Sequence, residues 1–317
     1  MWLLLLALVG LLLLYRWYRQ NQILENLSDK FVFITGCDTG FGNLLAKQLD
    51  KRGMKVLAAC LTKQGAENLR KESSRLQSIV LDVTDSQSVS SAAKWATRIV
   101  GDEGLWGLVN NAGFGNALAP NAWQRKADFE KVLNINLLGA FDVTVNFLPL
   151  IIKARGRIVN VSSCAGRLSF IGGGYCPSKF GVEALSDSLR RELYHFGVKV
   201  SVIEPGAFQT QISVKEHHLK NLDRLWSNLS SPIKDYFGEQ YYQKYTKGLI
   251  YLLEKSSPKL YYVTDCMEHA LTATHPWTRY SPGLDGKLYY IPVSYLPTVL
   301  SDYLLCRSSP KPAYGLK

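Results

Sequence analysis

The stretch Phe31-Val32-Phe33-Ile34-Thr35-Gly36-Cys37-Asp38-Thr39-Gly40-Phe41-Gly42, running into a helical pattern from Asn43 to Lys51, decides the fold. Its first five residues are apolar, β-branched or aromatic and read as a strand buried on both faces. Three glycines at the junction with a helix permit a tight turn and a close approach of backbone to a ligand. Free amides at the helix start then favour an anion above the turn, such as a pyrophosphate. Thr35, Gly36, Asp38, Thr39, Gly40, Phe41 and Gly42 are therefore candidate cofactor-binding residues. Their spacing is G-x-x-x-G-x-G rather than G-x-G-x-x-G.

Outward from this stretch, short apolar runs alternate with longer helical patterns as far as about Ile203. Strands are expected at Phe31 to Thr35, Val56 to Cys60, Ile79 to Leu81, Leu105 to Val109, Ile158 to Val161 and Val198 to Ile203, with helices at Ser86 to Ile99, Phe129 to Ile152 and Lys179 to Phe196. This alternation predicts an α/β fold, a doubly wound parallel sheet. Residues 30–292 read as one domain. From Ala207 to about Thr264 the alternation stops, and mixed charge, aromatics and short helical patterns suggest a helical substrate lid at the carboxyl edge of the sheet.

Chemistry-bearing residues cluster at predicted strand ends. Tyr175 and Lys179 stand four apart, so on a helix they share a face, where an ammonium would favour the phenolate and lower the tyrosine pKa. A cationic nicotinamide would add to that effect. Upstream, Asn160-Val161-Ser162-Ser163 closes a strand, and a serine there can hydrogen-bond the reacting oxygen of a substrate. Ser163 is preferred to Ser162. Asn136 falls inside a long helix, where it could divert a main-chain carbonyl to water and link Lys179 to solvent. Asp82 could accept from an adenine amino group. Asn110, Asn111, Ala112 and Gly113 end the fourth strand, where amide side chains can tie strand ends together and small residues leave room for a cofactor. Pro205 and Gly206 form a turn beside which a nicotinamide could lie, with Thr210 near its carboxamide. The His217-His218 pair reads as polar lid surface.

These motifs, T-G-x-x-x-G-x-G, N-N-A-G, the serine, Y-x-x-x-K and P-G in this order, resemble the short-chain dehydrogenase/reductase family from about Lys30 to Tyr290. The wording Phe-Ile-Thr-Gly-Cys-Asp-Thr-Gly-Phe-Gly and Gly-Gly-Gly-Tyr-Cys-Pro-Ser-Lys, with the Leu-rich N-terminus, is similar to the microsomal retinol dehydrogenases and the oxidative 3α/17β-hydroxysteroid dehydrogenases. The resemblance implies a Rossmann-like sheet of about seven strands, Ser163, Tyr175, Lys179 and Asn136 as the catalytic set, and NAD-dependent oxidation of a lipophilic alcohol. A retinoid or a steroid satisfies that description. NAD is the expected cofactor, with NADP left open: no acid ends the second strand in Ala59-Cys60-Leu61-Thr62-Lys63, and Lys63 could accept a 2′-phosphate.

Composition fits. At 317 residues and 47% hydrophobic content the chain can bury a large core and is not disordered. The net charge of +11 is spread along the chain and no nucleic-acid motif accompanies it, so nucleic acid is not an expected partner. Six separated cysteines form no disulfide or metal pattern.

Residues 1–19 read as a membrane anchor. Trp2 to Tyr15 is an uncharged, Leu-dominated run followed by Arg16, Trp17, Tyr18 and Arg19. A cleaved signal peptide is disfavoured because no Lys or Arg precedes the run and no small-x-small site follows it. Arg16, Arg19 and Lys30 after the run place the domain on the cytosolic face of a microsomal, endoplasmic-reticulum membrane. Residues 293–317 form a C-terminal segment, and Leu288 to Leu305, interrupted by Pro292, Pro297 and Asp302, reads as a last strand followed by an interfacial or core-covering stretch rather than a span. Membrane lipid and a lipophilic small molecule are the expected partners, with a homodimer left open.

Overall fold

The structure is a computed structural model that describes residues 2–115 and 118–315. Seven parallel strands form one sheet in the order β3-β2-β1-β4-β5-β6-β7. They are β1 (Phe31–Thr35), β2 (Lys55–Cys60), β3 (Gln77–Val80), β4 (Gly107–Asn110), β5 (Arg157–Val161), β6 (Lys199–Ile203) and β7 (Arg279–Tyr280). The strand order reverses between β1 and β4, so a crevice opens at their carboxyl ends, where doubly wound sheets bind ligands.

Strand alternation divides the core in two. Val32, Ile34, Val56, Ala58 and Val109 pack with Leu45 and Leu49 of α2 (Gly40–Lys51), Leu69 of α3 (Lys63–Glu72) and Met267 and Leu271 of α11 (Tyr261–Thr272). Phe33, Leu57, Leu108 and Ile158 face the other way, against Val89 and Ala96 of α4 (Ser86–Val100), Phe147 and Ile151 of α6 (Gly139–Ala154) and Leu189 of α7 (Tyr175–Glu192). Successive side chains on a strand point to opposite faces, and both faces are covered by helices.

The helix predicted at Phe129 to Ile152 is one helical path from α5 (Lys126–Leu133) into α6, with a π-helical turn at Asn134–Leu138 closed by the Gly139 amide on the Asn134 carbonyl. It is long and apolar enough to cross a bilayer by composition, but Val143, Phe147 and Ile151 are buried against the sheet and make it a core helix. The helix predicted from Lys179 begins at Tyr175, and that predicted from Asn43 begins at Gly40.

Three short helices follow β6: α8 (Lys215–Ser227), α9 (Ser231–Phe237) and α10 (Glu239–Glu254). Val263 belongs to the core beneath the sheet, so the segment above the carboxyl edge ends near Glu254 rather than Thr264. The last strand lies upstream of the predicted place, at Arg279–Tyr280. Leu288 to Leu305 is helical instead, with a π turn at Gly286–Tyr290, α12 (Ile291–Val293) and α13 (Thr298–Cys306). Pro292 falls in the last turn of the helical path that enters α12 from the π turn, and the chain leaves the helix at Ser294, while Pro297 caps α13, a place that requires no amide donor.

At the N-terminus, α1 (Trp2–Gln20) is a single helix of 19 residues, roughly 29 Å long at 1.5 Å per residue. Its described apolar side chains, Trp2, Leu6, Leu11 and Leu14 among them, are exposed and no part of the domain covers them.

Phe147 is fully buried with its ring centroid 4.3 Å from that of Phe33. Phe147→Ala is expected to lower the free energy of unfolding by about 3–5 kcal/mol, measured by denaturant titration of the detergent-solubilised protein.

Candidate active site

The strand-to-helix turn is held open from beneath. Thr35 Oγ1 accepts from the amides of Asn111 (3.0 Å) and Ala112 (2.9 Å), while the Asn111 side chain donates to the carbonyls of Thr35 (2.8 Å) and Gly36 (3.1 Å). These bonds lock the end of β1 to the end of β4. Gly36 has φ +70°, and a Cβ on Gly42 would stand 2.4 Å from the Gly36 carbonyl oxygen and 2.5 Å from Asn111 Nδ2, so neither position accepts a side chain without moving the turn. Thr39 occupies the N-cap of α2 without a capping bond from its side chain, which leaves the first-turn amides for a ligand. Thr210 lies over this helix start, 3.7 Å from where a Gly40 Cβ would be. These are the features a pyrophosphate requires.

Asp38 does something the sequence did not suggest. Its carboxylate crosses to the end of β2 and accepts from the amides of Leu61 (2.7 Å) and Thr62 (3.0 Å) and from the Thr62 hydroxyl (2.6 Å). A negative charge thus stands at the end of β2 although no acid lies there in sequence. Asp82 Oδ1 accepts from the amide and hydroxyl of Thr84, the bonds of a turn aspartate. Asn110 departs from the expected cofactor contact: its Nδ2 is spent on Thr144 Oγ1 and Asn160 Oδ1, both 2.8 Å away in the buried space between β4 and β5. It ties strand ends from below, because an amide buried there must find internal partners.

At the next strand end, α7 brings its first turns against β5. Lys179 is 4% exposed and donates from Nζ to the Val161 carbonyl at 2.9 Å, with Nζ 5.7 Å from the Tyr175 ring centroid. Burial pulls its pKa down to about 8. Tyr175 stands at the rim of the same crevice, and burial pushes its phenol up to about 12; the hydrogen bond with Ser163 acts against that shift, while the thiols of Cys164 and Cys176 reinforce it. In the protein alone desolvation is the largest influence on the phenol.

Ser163 Oγ accepts from the Ala165 amide at 3.1 Å and lies 3.5 Å from the Pro205 carbonyl. Ser162 turns inward, bonding the Lys179 carbonyl at 3.3 Å, so the two adjacent serines have separate surroundings. Pro205 and Gly206 adjoin Ser163, and Asp285 closes that turn by accepting from the Ala207 amide at 2.7 Å.

Asn136 is 2% exposed inside the π turn. Its amide holds the backbone of Phe114 in both directions, receiving from the Phe114 amide at 2.8 Å and donating to its carbonyl at 3.0 Å, and also donates to Ser178 Oγ at 3.0 Å. Ser178 in turn donates to the Tyr175 carbonyl at 2.7 Å. A Cβ on Gly113 would lie 3.8 Å from both Asn136 Oδ1 and Lys179 Nζ, so the end of β4, the π turn and α7 meet here. Sequence reasoning missed Ser178, although it sits between Tyr175 and Lys179.

Above Tyr175, Trp123 is surrounded by Trp226, Phe237, Tyr241, Tyr242 and Tyr245 with ring centroids 5.1 to 6.1 Å away. Tyr175 and Leu118 pack into this cluster. The wall beside the phenol is therefore apolar and aromatic. His218 corrects the expectation of a polar lid surface: it is 3% exposed and its Nε2 bonds the Ile212 carbonyl at 2.6 Å, next to Gly115. Burial depresses its pKa, as for any imidazole denied water.

The family model for short chain dehydrogenases matches residues 30–220, the span that contains every one of these groups from Thr35 to Thr210. The chain is a short-chain dehydrogenase. It is an oxidoreductase. Over all 317 residues and the full length of each relative, it is 56% identical to retinol dehydrogenase 7 of Rattus norvegicus, 55% to retinol dehydrogenase 16 of Homo sapiens and 53% to 17-beta-hydroxysteroid dehydrogenase type 6 of Homo sapiens. Among solved structures, a short-chain dehydrogenase from Streptomyces avermitilis superposes with a TM-score of 0.70 at 23% identity, covering 87% of this chain and 95% of that one. One from Burkholderia phymatum, in complex with NAD, gives 0.69 at 22% identity, covering 89% and 97%.

Two consequences are measurable. Gly42→Ala is expected to weaken dinucleotide binding by about tenfold or more in calorimetric titration, since the added methyl displaces the Gly36 carbonyl and the Asn111 amide that shape the turn. The buried Lys179 ammonium costs stability. Because its folded pKa of about 8 lies below the ordinary 10.5, the cost is complete below about pH 8 and fades as pH rises toward 10.5. Lys179→Met is expected to raise the unfolding free energy at pH 7 by about 3 kcal/mol, with the difference shrinking above pH 8 in denaturant titrations.

Proposed function

We propose that this oxidoreductase converts retinol to retinaldehyde with NAD. The observation that carries the reading is the aromatic wall around Trp123, packed directly on Tyr175, which suits a long apolar alcohol and offers few polar groups to a sugar or acid. The names of the 55–56% identical relatives support a retinoid. A hydroxysteroid is the second reading, supported by the 53% identical relative that bears that name.

Bound nicotinamide supplies the acceptor for hydride. The remaining chemistry belongs to the chain. Ser163, close enough to Tyr175 to act against the rise of its pKa, orients the reacting hydroxyl; Tyr175 takes its proton as a general base; and Lys179, anchored on the Val161 carbonyl, supplies the nearby positive charge that favours the phenolate. Asn136 fixes the Phe114 backbone and, through Ser178, the first turn of α7. Since burial holds the phenol at about 12, its ionisation near neutral pH calls for a second cation, and the positive ring of the oxidised cofactor is the natural source.

NAD is favoured over NADP by Asp38, whose carboxylate at the end of β2 would repel a 2′-phosphate and can accept from a ribose hydroxyl. The exposed helix α1, whose apolar run Trp2 to Tyr15 rises roughly 21 Å at 1.5 Å per residue and is followed by Trp17 and Tyr18 as interfacial residues, supports anchoring in the endoplasmic-reticulum membrane, with Arg16, Arg19 and Lys30 favouring a cytosolic domain. The exposed stripe formed by Leu138 of the π turn, Phe141 and Val145 on α6 and Phe180 on α7 supports a homodimer.

Membranes carrying the protein are expected to oxidise retinol with NAD, and Tyr175→Phe to abolish turnover while binding of NAD persists; undiminished turnover in that variant would remove Tyr175 from the chemistry. Comparing kcat/KM for retinol and a 3α-hydroxysteroid separates the two substrate readings. Asp38→Asn is expected to shift the kcat/KM ratio toward NADP by about tenfold, the order of one charge interaction near a protein surface.

A further inference from the structure

A cavity of about 370 Å³ lies at the foot of α1, far from the catalytic residues in sequence, and Arg16, Arg19, Lys199 and His275 contribute its polar walls. Arg19 bonds His275 at 3.0 Å and Lys199 donates to the Thr274 carbonyl at 2.8 Å. Outside the lining, Arg157 is 3% exposed, donates from one amino group to the Ala273 carbonyl and lies over the Trp106 ring at 5.0 Å, adding its charge to the field around His275. Burial and the three neighbouring cations all hold the pKa of His275 down. Among the described residues, none of Arg16, Arg19, Arg157 and Lys199 forms an ion pair.

Helix capping does not account for this surplus. The carbonyl ends of α1 and α11 converge here, but each helix terminus supplies only about half a negative charge against the three cationic side chains of the lining. Three cationic side chains that line one cavity with no carboxylate paired to them are the features of an anion site.

The position of the cavity selects the anion's source. Arg16 and Arg19 follow directly on the apolar run of α1. The joint to the domain is fixed: the amides of Leu24 and Thr274 bond the carbonyls of Thr272 and Gln22, both at 2.8 Å, His269 bonds the Gln20 carbonyl at 2.8 Å, and the Arg16 guanidinium lies 5.3 Å from the Trp277 ring centroid. With α1 in a bilayer, the reading on which this inference rests, the cavity opens at the level of the headgroups. We propose that it binds the phosphate of an anionic phospholipid, seating the domain at a set height and angle on the membrane.

The full-length protein in neutral detergent, titrated with dihexanoyl phosphatidate, dihexanoyl phosphatidylcholine and inorganic phosphate while tryptophan fluorescence is followed, tests the proposal, since Trp277 borders the site. Saturable binding of phosphatidate is expected, weakened about thirtyfold in the double variant Arg16→Gln, Lys199→Gln. Far-ultraviolet circular dichroism establishes that the variant is folded. A response that survives the double substitution, or no response to phosphatidate, would overturn the site. Inorganic phosphate binding as tightly as phosphatidate would overturn the lipid source. Alkaline extraction of membranes tests the anchor separately: extraction of a protein that still binds phosphatidate would refute the anchor and uphold the phosphate site.

Discussion

A lysine ammonium buried at the carboxyl edge of a parallel sheet is the constraint on which the site depends. Lys179 has left water and holds one main-chain carbonyl, that of Val161, at the end of β5. Such burial is unfavourable for a charge, and the surroundings keep it in place through rigid neighbours rather than a carboxylate in direct contact. Ser162 grips the Lys179 carbonyl, Ser178 grips the Tyr175 carbonyl, and Asn136 grips Ser178. The first turns of α7 therefore cannot rotate independently of β5 and the π turn, and Tyr175 keeps its place beside Ser163.

The same logic operates at the neighbouring crevice. Thr35 and Asn111 bind the ends of β1 and β4 to each other, so the glycine turn is shaped before any ligand arrives. Preorganised amides lose little freedom on binding an anion. Asp38 adds a charge at the end of β2 from a distance of more than twenty residues in sequence, so on the proposed reading one turn would both cradle the phosphates and discriminate at the ribose.

Much of this was legible in the sequence because it follows from local periodicity. Buried strands read as apolar runs, and a spacing of four places Tyr175 and Lys179 together on any helix. What was not legible depends on contacts between distant segments. The strand Arg279–Tyr280 is two residues long and has no pattern to read. Leu288 to Leu305 looks extended because of its prolines, yet Pro292 falls where one helical path ends and Pro297 where the next begins, so both are accommodated. Asn110 and Asn111 are adjacent and chemically identical, but the alternation of the strand end turns one into the interior and the other toward the turn. His218 reads as polar surface until the Ile212 segment folds over it. The balance at Tyr175 was also hidden, since spacing reveals the cation and not the cost of desolvation.

That balance ties the fold to the chemistry. Burial holds the phenol up at about 12, and on the proposed reading a cationic ring beside Ser163 and Lys179 would supply the charge that brings it down. Ultraviolet difference titration of tyrosinate, comparing the wild-type protein with Tyr175→Phe in the absence and presence of oxidised dinucleotide, tests this most directly. The account predicts that cofactor binding moves one tyrosine ionisation, absent from the variant, from about 12 to well below the ordinary tyrosine range. An ionisation of Tyr175 that stays in place when the cofactor binds would contradict it.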